Sequence, residues 1–156
     1  TWIRLRPGSV AAVGWLKVRG RGSGAVLGDP REAMGPRHPY RPDAELPWSP
    51  GSAPLVELPV SSLAGLPLTG GTLHLFGTLR AVWLASLAGS RSYLQLELHG
   101  VDLMDITADR LDPALAAQRD LLIPRERKME TIARFCRKIL ENRDAATLEE
   151  IAGSIS

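Results

Sequence analysis

Leucines at 94, 96 and 98 alternate with Gln95, Glu97 and His99, the two-residue period of a strand with one apolar face. Gly100 breaks the run and leaves His99 at the carboxyl end of the expected strand. Residues 55–60 read as an earlier strand, in which Pro59 marks an edge position or the end of pairing. A turn-rich passage over 61–71 closes on Gly70 and Gly71, after which the period changes. Thr72 is placed to cap a helix reaching about Leu87, with Leu75, Leu79, Val82 and Trp83 on its apolar face and Gly89-Ser90 as its stop. A strand, a helical crossover of this length and a second strand form a βαβ unit, which favours parallel pairing. The fold class expected is therefore α/β.

Downstream, Asp112-Pro113 has the order of a cap followed by proline and predicts a short helix over 113–118. The clearest helical period follows Pro124, with Met129, Ile132, Ala133, Cys136, Ile139 and Leu140 on one side and Arg or Lys on the other. Asp144 and Thr147, the latter three residues before Glu150, are alternative starts for a last short helix. At the amino end, Ser9 is placed to cap a short helix to about Val18, and residues 24–28 suit a short strand or an extended segment. Seven of the twelve prolines fall within 29–54, a density that forbids regular structure and implies an ordered but irregular loop or a linker. The chain thus divides into a basic arm (1–28), a proline-rich loop (29–54) and an α/β portion (55–156).

Composition changes this picture little. With 156 residues, 44% hydrophobic and 23% charged, the chain suits one ordinary globular core. The single cysteine, Cys136, cannot form an intramolecular disulfide and falls in the amphipathic helical pattern as a small hydrophobe. Nothing therefore marks an oxidising compartment, and a cytoplasmic setting is slightly favoured. No apolar run is long enough to span a bilayer. The first residues, TWIRLRPGS, lack both an initiator Met and a signal-peptide pattern, as expected of a processed terminus or a cut inside a longer protein. Charge is uneven: residues 1–43 hold eight Lys and Arg against three Asp and Glu, the remainder eleven against fourteen. The arginines of the arm are scattered among Gly and Pro without aromatic interleaving, so a solvated face is expected rather than a nucleic-acid surface. The glycine-rich stretch at 19–24 lacks the preceding strand and closing Lys-Ser/Thr of a phosphate cradle and reads as a turn.

Residue types for acid/base work converge only at 99–105, where His99 is followed by Asp102 and Asp105. Glu57, mid-strand, could orient a catalytic histidine or an arginine, or simply face solvent. Tyr40 and Trp48 in the proline-rich loop could stack on a sugar ring or pack the loop down. His74 falls in a helical pattern where exposure is expected.

With its segments in order, the chain resembles the C-terminal half of the NodB-like polysaccharide deacetylases. The resemblance rests on PYRP (39–42), VELPVSSLAGLPLTGG (56–71), LELHGVDLMD (96–105) and Arg127-Lys128, and spans about 28–140. It implies a partial (β/α) barrel with two or three short strands and flanking helices. It also implies hydrolysis of N- or O-acetyl groups from a sugar or polysaccharide substrate. By this resemblance His99 matches the histidine of the family's final motif, a general acid that protonates the leaving amine or alcohol, and Asp102 matches a position near the site. Glu97 stands where the family usually has an aliphatic residue. The family's divalent metal is held by an Asp-Asp pair and a His-x-x-x-His spacing in its N-terminal half; this chain carries neither, so no metal ligand is assigned to it. A chain of this kind is expected to need its missing N-terminal half, or to self-associate through exposed edges. The alternatives from other classes are a non-catalytic binding or assembly module and an inactive truncated product.

Overall fold

The computed structural model describes residues 35–63 and 66–155; the helix expected at 9–18 and the segment at 24–28 lie outside them. The chain divides into two compact units, Leu68–Ala145 and the remainder up to Pro67 together with Ala146–Ser156. Four α-helices and one two-stranded sheet make the described part a mixed α and β structure.

In the first unit the described part of the proline-rich segment, 35–54, is irregular, as its composition requires, and pinned at a few points. Tyr40 and Glu57 form an isolated antiparallel bridge through Glu57 N donating to Tyr40 O (2.8 Å) and Tyr40 N to Glu57 O (3.2 Å). Pro42 and Pro50 form a second. Asp43 Oδ1 accepts from Glu45 N and Leu46 N at 2.9 and 3.0 Å, turning the chain back on itself. The returning strand passes so close that a Cβ on Gly51 would lie 2.4 Å from Asp43 Cα, so only glycine fits. The strand expected over 55–60 is not formed; only Glu57 pairs, because Pro54 and Pro59 bracket it without amide donors. Regular pairing appears instead within the passage expected to be turns: β1 (Ser62–Leu63) lies antiparallel to β2 (Leu66–Pro67).

The second unit is helical. Its first helix, α1 (Gly70–Phe76), is capped by Thr69 Oγ1 accepting from Thr72 N at 3.2 Å, and α2 (Thr78–Ala88) follows at once. The single helix expected from Thr72 is broken at Gly77, whose φ of +73° is left-handed backbone that a β-carbon resists. Leu73, Ala81, Leu84, Ala85 and Ala88 are buried, while Leu75, Leu79 and Trp83 are 71%, 81% and 60% exposed. The expected apolar face therefore points to solvent. Small side chains let α2 approach α3 (Arg125–Leu140) closely, and the bulky row is turned away. Lys128, Thr131, Ile132 and Phe135 form the buried seam of α3. Thr131 Oγ1 donates to Arg127 O, so Thr78 Oγ1 is the donor in the 2.8 Å bond that joins Thr78 to Thr131 across the two helices. Arg143 closes the end of α2, donating to Ala88 O and Gly89 O at 3.2 Å each.

The alternating segment 94–99 also differs from expectation. Among the described residues it pairs at one point, a parallel bridge between Glu97 and Thr69, with Glu97 N donating to Leu68 O (3.1 Å) and Gly70 N to Glu97 O (3.0 Å). The parallel sense of a βαβ crossover is present over one residue, with the residues before α1 as partner rather than 55–60. No buried face sustains a longer ladder, since Leu94 and Leu96 are half-buried and Leu98 is 43% exposed. Two 3-10 turns, Pro113–Ala117 and Arg119–Leu122, replace the short helix expected at 113–118. Beyond α3 the first unit resumes with α4 (Leu148–Gly153), which starts at Thr147 in a reciprocal box with Glu150.

Candidate functional site

His99 ends the extended segment and begins a 3-10 turn, Gly100–Leu103. Its own amide donates to Asp102 Oδ2 at 2.7 Å, and Asp102 N donates back to His99 O at 3.0 Å, a closed loop that fixes both residues. Asp102 is buried, and its carboxylate lies against the start of α1. A Cβ on Gly70 would fall 2.3 Å from Asp102 Cγ, so glycine there is a condition of the turn.

The imidazole stands at the surface with a side chain 60% exposed, between two carboxylates that are nearly covered, Glu97 at 13% and Asp102 at 4%. Nε2 lies 3.7 Å from Glu97 Oε1 and Nδ1 lies 3.8 Å from Asp102 Oδ2. These separations exceed hydrogen bonds but put each ring nitrogen within ion-pair range of a carboxylate when the ring is protonated. Chemically, the arrangement is a solvent-facing proton carrier whose two nitrogens each see an acceptor.

The turn beneath it is held from two helices. His74, expected to be exposed, is buried in α1, and its Nε2 lies 2.9 Å from Asp102 O; a carbonyl only accepts, so this nitrogen carries the proton. Lys128, fully buried in α3, donates from Nζ to Val101 O at 2.9 Å and to Met104 O at 2.7 Å. Loss of water around it pushes the Lys128 ammonium below its ordinary value, against the opposing pull of Asp120, Asp102, Asp105 and Asp109.

Asp105 does not join His99. Its Oδ1 accepts from Thr107 N and Ala108 N at 2.9 and 2.6 Å, and its Oδ2 accepts from Arg125 N at 2.9 Å, which caps α3 from a distant loop. The amides of Ala108, Arg125 and Thr107 and the Arg125 charge hold its carboxyl below the usual range. Asp109 completes the cap through a 2.8 Å ion pair with Arg125.

The remaining candidates belong to the first unit. Tyr40 is buried, and its hydroxyl donates to Pro47 O at 2.5 Å, tying down the proline-rich loop. Trp48 and Glu57 are half-buried, and the Glu57 backbone pairs with Tyr40. Sequence reasoning assigned no role to Gly70, read only as part of a turn, or to His74, read as an exposed helix position; Lys128 entered it with Arg127 as part of the resemblance, without a structural role.

Among the described residues, no three His, Cys, Asp or Glu side chains are placed to hold a metal ion, and no helix is long and apolar enough to cross a membrane. Compared with known proteins, the chain matches no family model, and neither a curated protein nor a solved structure is significantly similar to it.

Proposed function

We propose that this chain is the acid-bearing C-terminal portion of a carbohydrate deacetylase, a partial (β/α) barrel whose other half supplies the metal and the attacking water. One observation carries the reading: an exposed imidazole on a turn fixed by buried groups, with a carboxylate within 4 Å of each ring nitrogen. In deacetylation the tetrahedral intermediate collapses as the bond from the acyl carbon to nitrogen or oxygen breaks. A protonated His99 gives its proton to the departing amine or alcohol and is left neutral, while acetate retains the acyl carbon. Glu97 and Asp102 lie within ion-pair range of the ring's two nitrogens, one carboxylate to each. The family's divalent ion would polarise the acyl oxygen and acidify the water; the residues described here do not fit it, and no step on this chain runs through it.

The test is deacetylation of an acetylated sugar oligomer by the complete protein, obtained by extending the reading frame upstream. His99→Ala is expected to lower turnover about a hundred- to ten-thousand-fold with the fold intact; unchanged turnover removes the acid role.

The exposed row Leu75, Leu79, Trp83 and Leu87 favours a second reading, a binding or assembly module in which this face meets a partner or another copy of the chain. Sedimentation at micromolar concentration separates self-association from its absence: a clean monomer counts against assembly with itself.

A further inference from the structure

A 3-10 turn of four residues has little stability of its own, yet the one after His99 has two of its carbonyls, and that of the residue following it, taken by side chains from elsewhere. Val101 O and Met104 O accept from Lys128 Nζ, and Asp102 O accepts from His74 Nε2. Lys128 is an expensive way to make these bonds, because burying an ammonium is unfavourable unless it is fully partnered. Its neighbours in α3 on either side, Arg127 and Met129, are exposed, and the rest of the buried seam is Thr131, Ile132 and Phe135. An apolar residue at 128 would satisfy helix packing, so the carbonyls of the turn are what require a cation there. Those carbonyls flank Asp102, whose carboxylate holds the His99 amide.

We infer that Lys128 is a positioning residue for His99: it sets the turn that presents the imidazole between Glu97 and Asp102, with His74 as the second point of attachment. The inference rests on the reading above only in calling His99 an acid; the positioning itself is a property of this chain and is measured without substrate.

The experiment is amide hydrogen exchange by NMR on the whole chain, wild type against Lys128→Met, which keeps length and volume and removes the donors. Loss of two bonds from a charged donor is expected to speed exchange at His99, Asp102 and Met104 roughly tenfold to a hundredfold, while Ile132 and Phe135 in α3 change much less. A residue that merely stabilises the fold would speed all of these sites alike. Uniform acceleration, or unchanged rates at 99–104, overturns the proposal. Should Lys128→Met not fold, Lys128→Arg keeps the charge on a longer fork: displaced His99 and Asp102 amide resonances with α3 unmoved support positioning, and unmoved resonances at 99–102 overturn it. Loss of the general-acid role in the complete enzyme would leave these exchange results standing, and their failure would leave the His99→Ala result standing, so the two ideas fall separately.

Discussion

Trp83 and Lys128 sit on two helices that pack together, and each lies where simple partitioning would put the other. The indole of α2 is 60% exposed, and the ammonium of α3 is completely covered. The two inversions have different causes. On α2 the contact with α3 selects Ala81, Ala85 and Ala88 for close approach, so the larger Leu79 and Trp83 are left outside by geometry rather than by polarity. On α3 a polar need, the carbonyls of Val101 and Met104, draws a charge into the interior. An exposed apolar row thus reports on what a helix can pack against, and a buried cation on what a neighbouring turn lacks.

The comparison breaks most visibly at Phe135, 1% exposed in the same seam as Lys128. Phe135→Ala is expected to lower unfolding free energy by about 3–5 kcal/mol in urea titration. A loss well under 1 kcal/mol would mean that α2 and α3 do not share a stabilising core. Next in size is Gly70→Ala, which pushes a methyl into Asp102 and is expected to lower stability by about 1–3 kcal/mol. Its NMR signature should centre on His99 and Asp102; a change confined to α1 would detach the turn from the helix start. On the solvent side, Leu79→Ser with Trp83→Ser is expected to shift stability by about 0.5 kcal/mol or less while abolishing any self-association seen by sedimentation. A large destabilisation would show that the row is internal after all.

The smallest effect is pH dependence. A lysine whose folded value is depressed binds fewer protons folded than unfolded, so its contribution to stability improves as pH rises toward the ordinary value of 10.5. Wild type is therefore expected to gain on Lys128→Met in urea titrations over the alkaline window just below 10.5. A gap that stays constant over that window would mean the ammonium is not held in a dry place.

Legibility along the chain followed how local each cause is. The existence of the α3 helix and the irregular proline-rich segment depend on near neighbours and could be read directly, and the Thr147 box was one of two starts the sequence left open; the buried face of α3 was not, for Met129 and Leu140 are exposed while Thr131 and Phe135 are covered. The position of His99 beside Gly100 at the end of an extended segment was equally plain. What escaped depends on partners far along the chain. The period of 72–87 is helical, but a single positive φ at Gly77 divides it, and which face turns inward is decided by α3. Among the described residues the alternation at 94–98 bridges only to Thr69, through Glu97. Asp105 reads as an acid beside His99, yet it serves Arg125, twenty residues on. His74 and Lys128 carry the turn under His99 from two different helices; the first falls in a helical pattern where exposure is expected, and the second reads as one of the charges of α3 although it lies four and seven residues before Ile132 and Phe135, on the buried face.

Arg143 has a practical corollary. Its guanidinium reaches back to Ala88 O and Gly89 O, so the far end of α2 is stitched shut by a residue that follows α3. A shortened version ending at Leu140 would keep every helix of the second unit in sequence and still leave that seam open. Boundaries for expression should accordingly fall past Arg143, and fraying of α2 from Ala88 backward is the fault to look for when they do not.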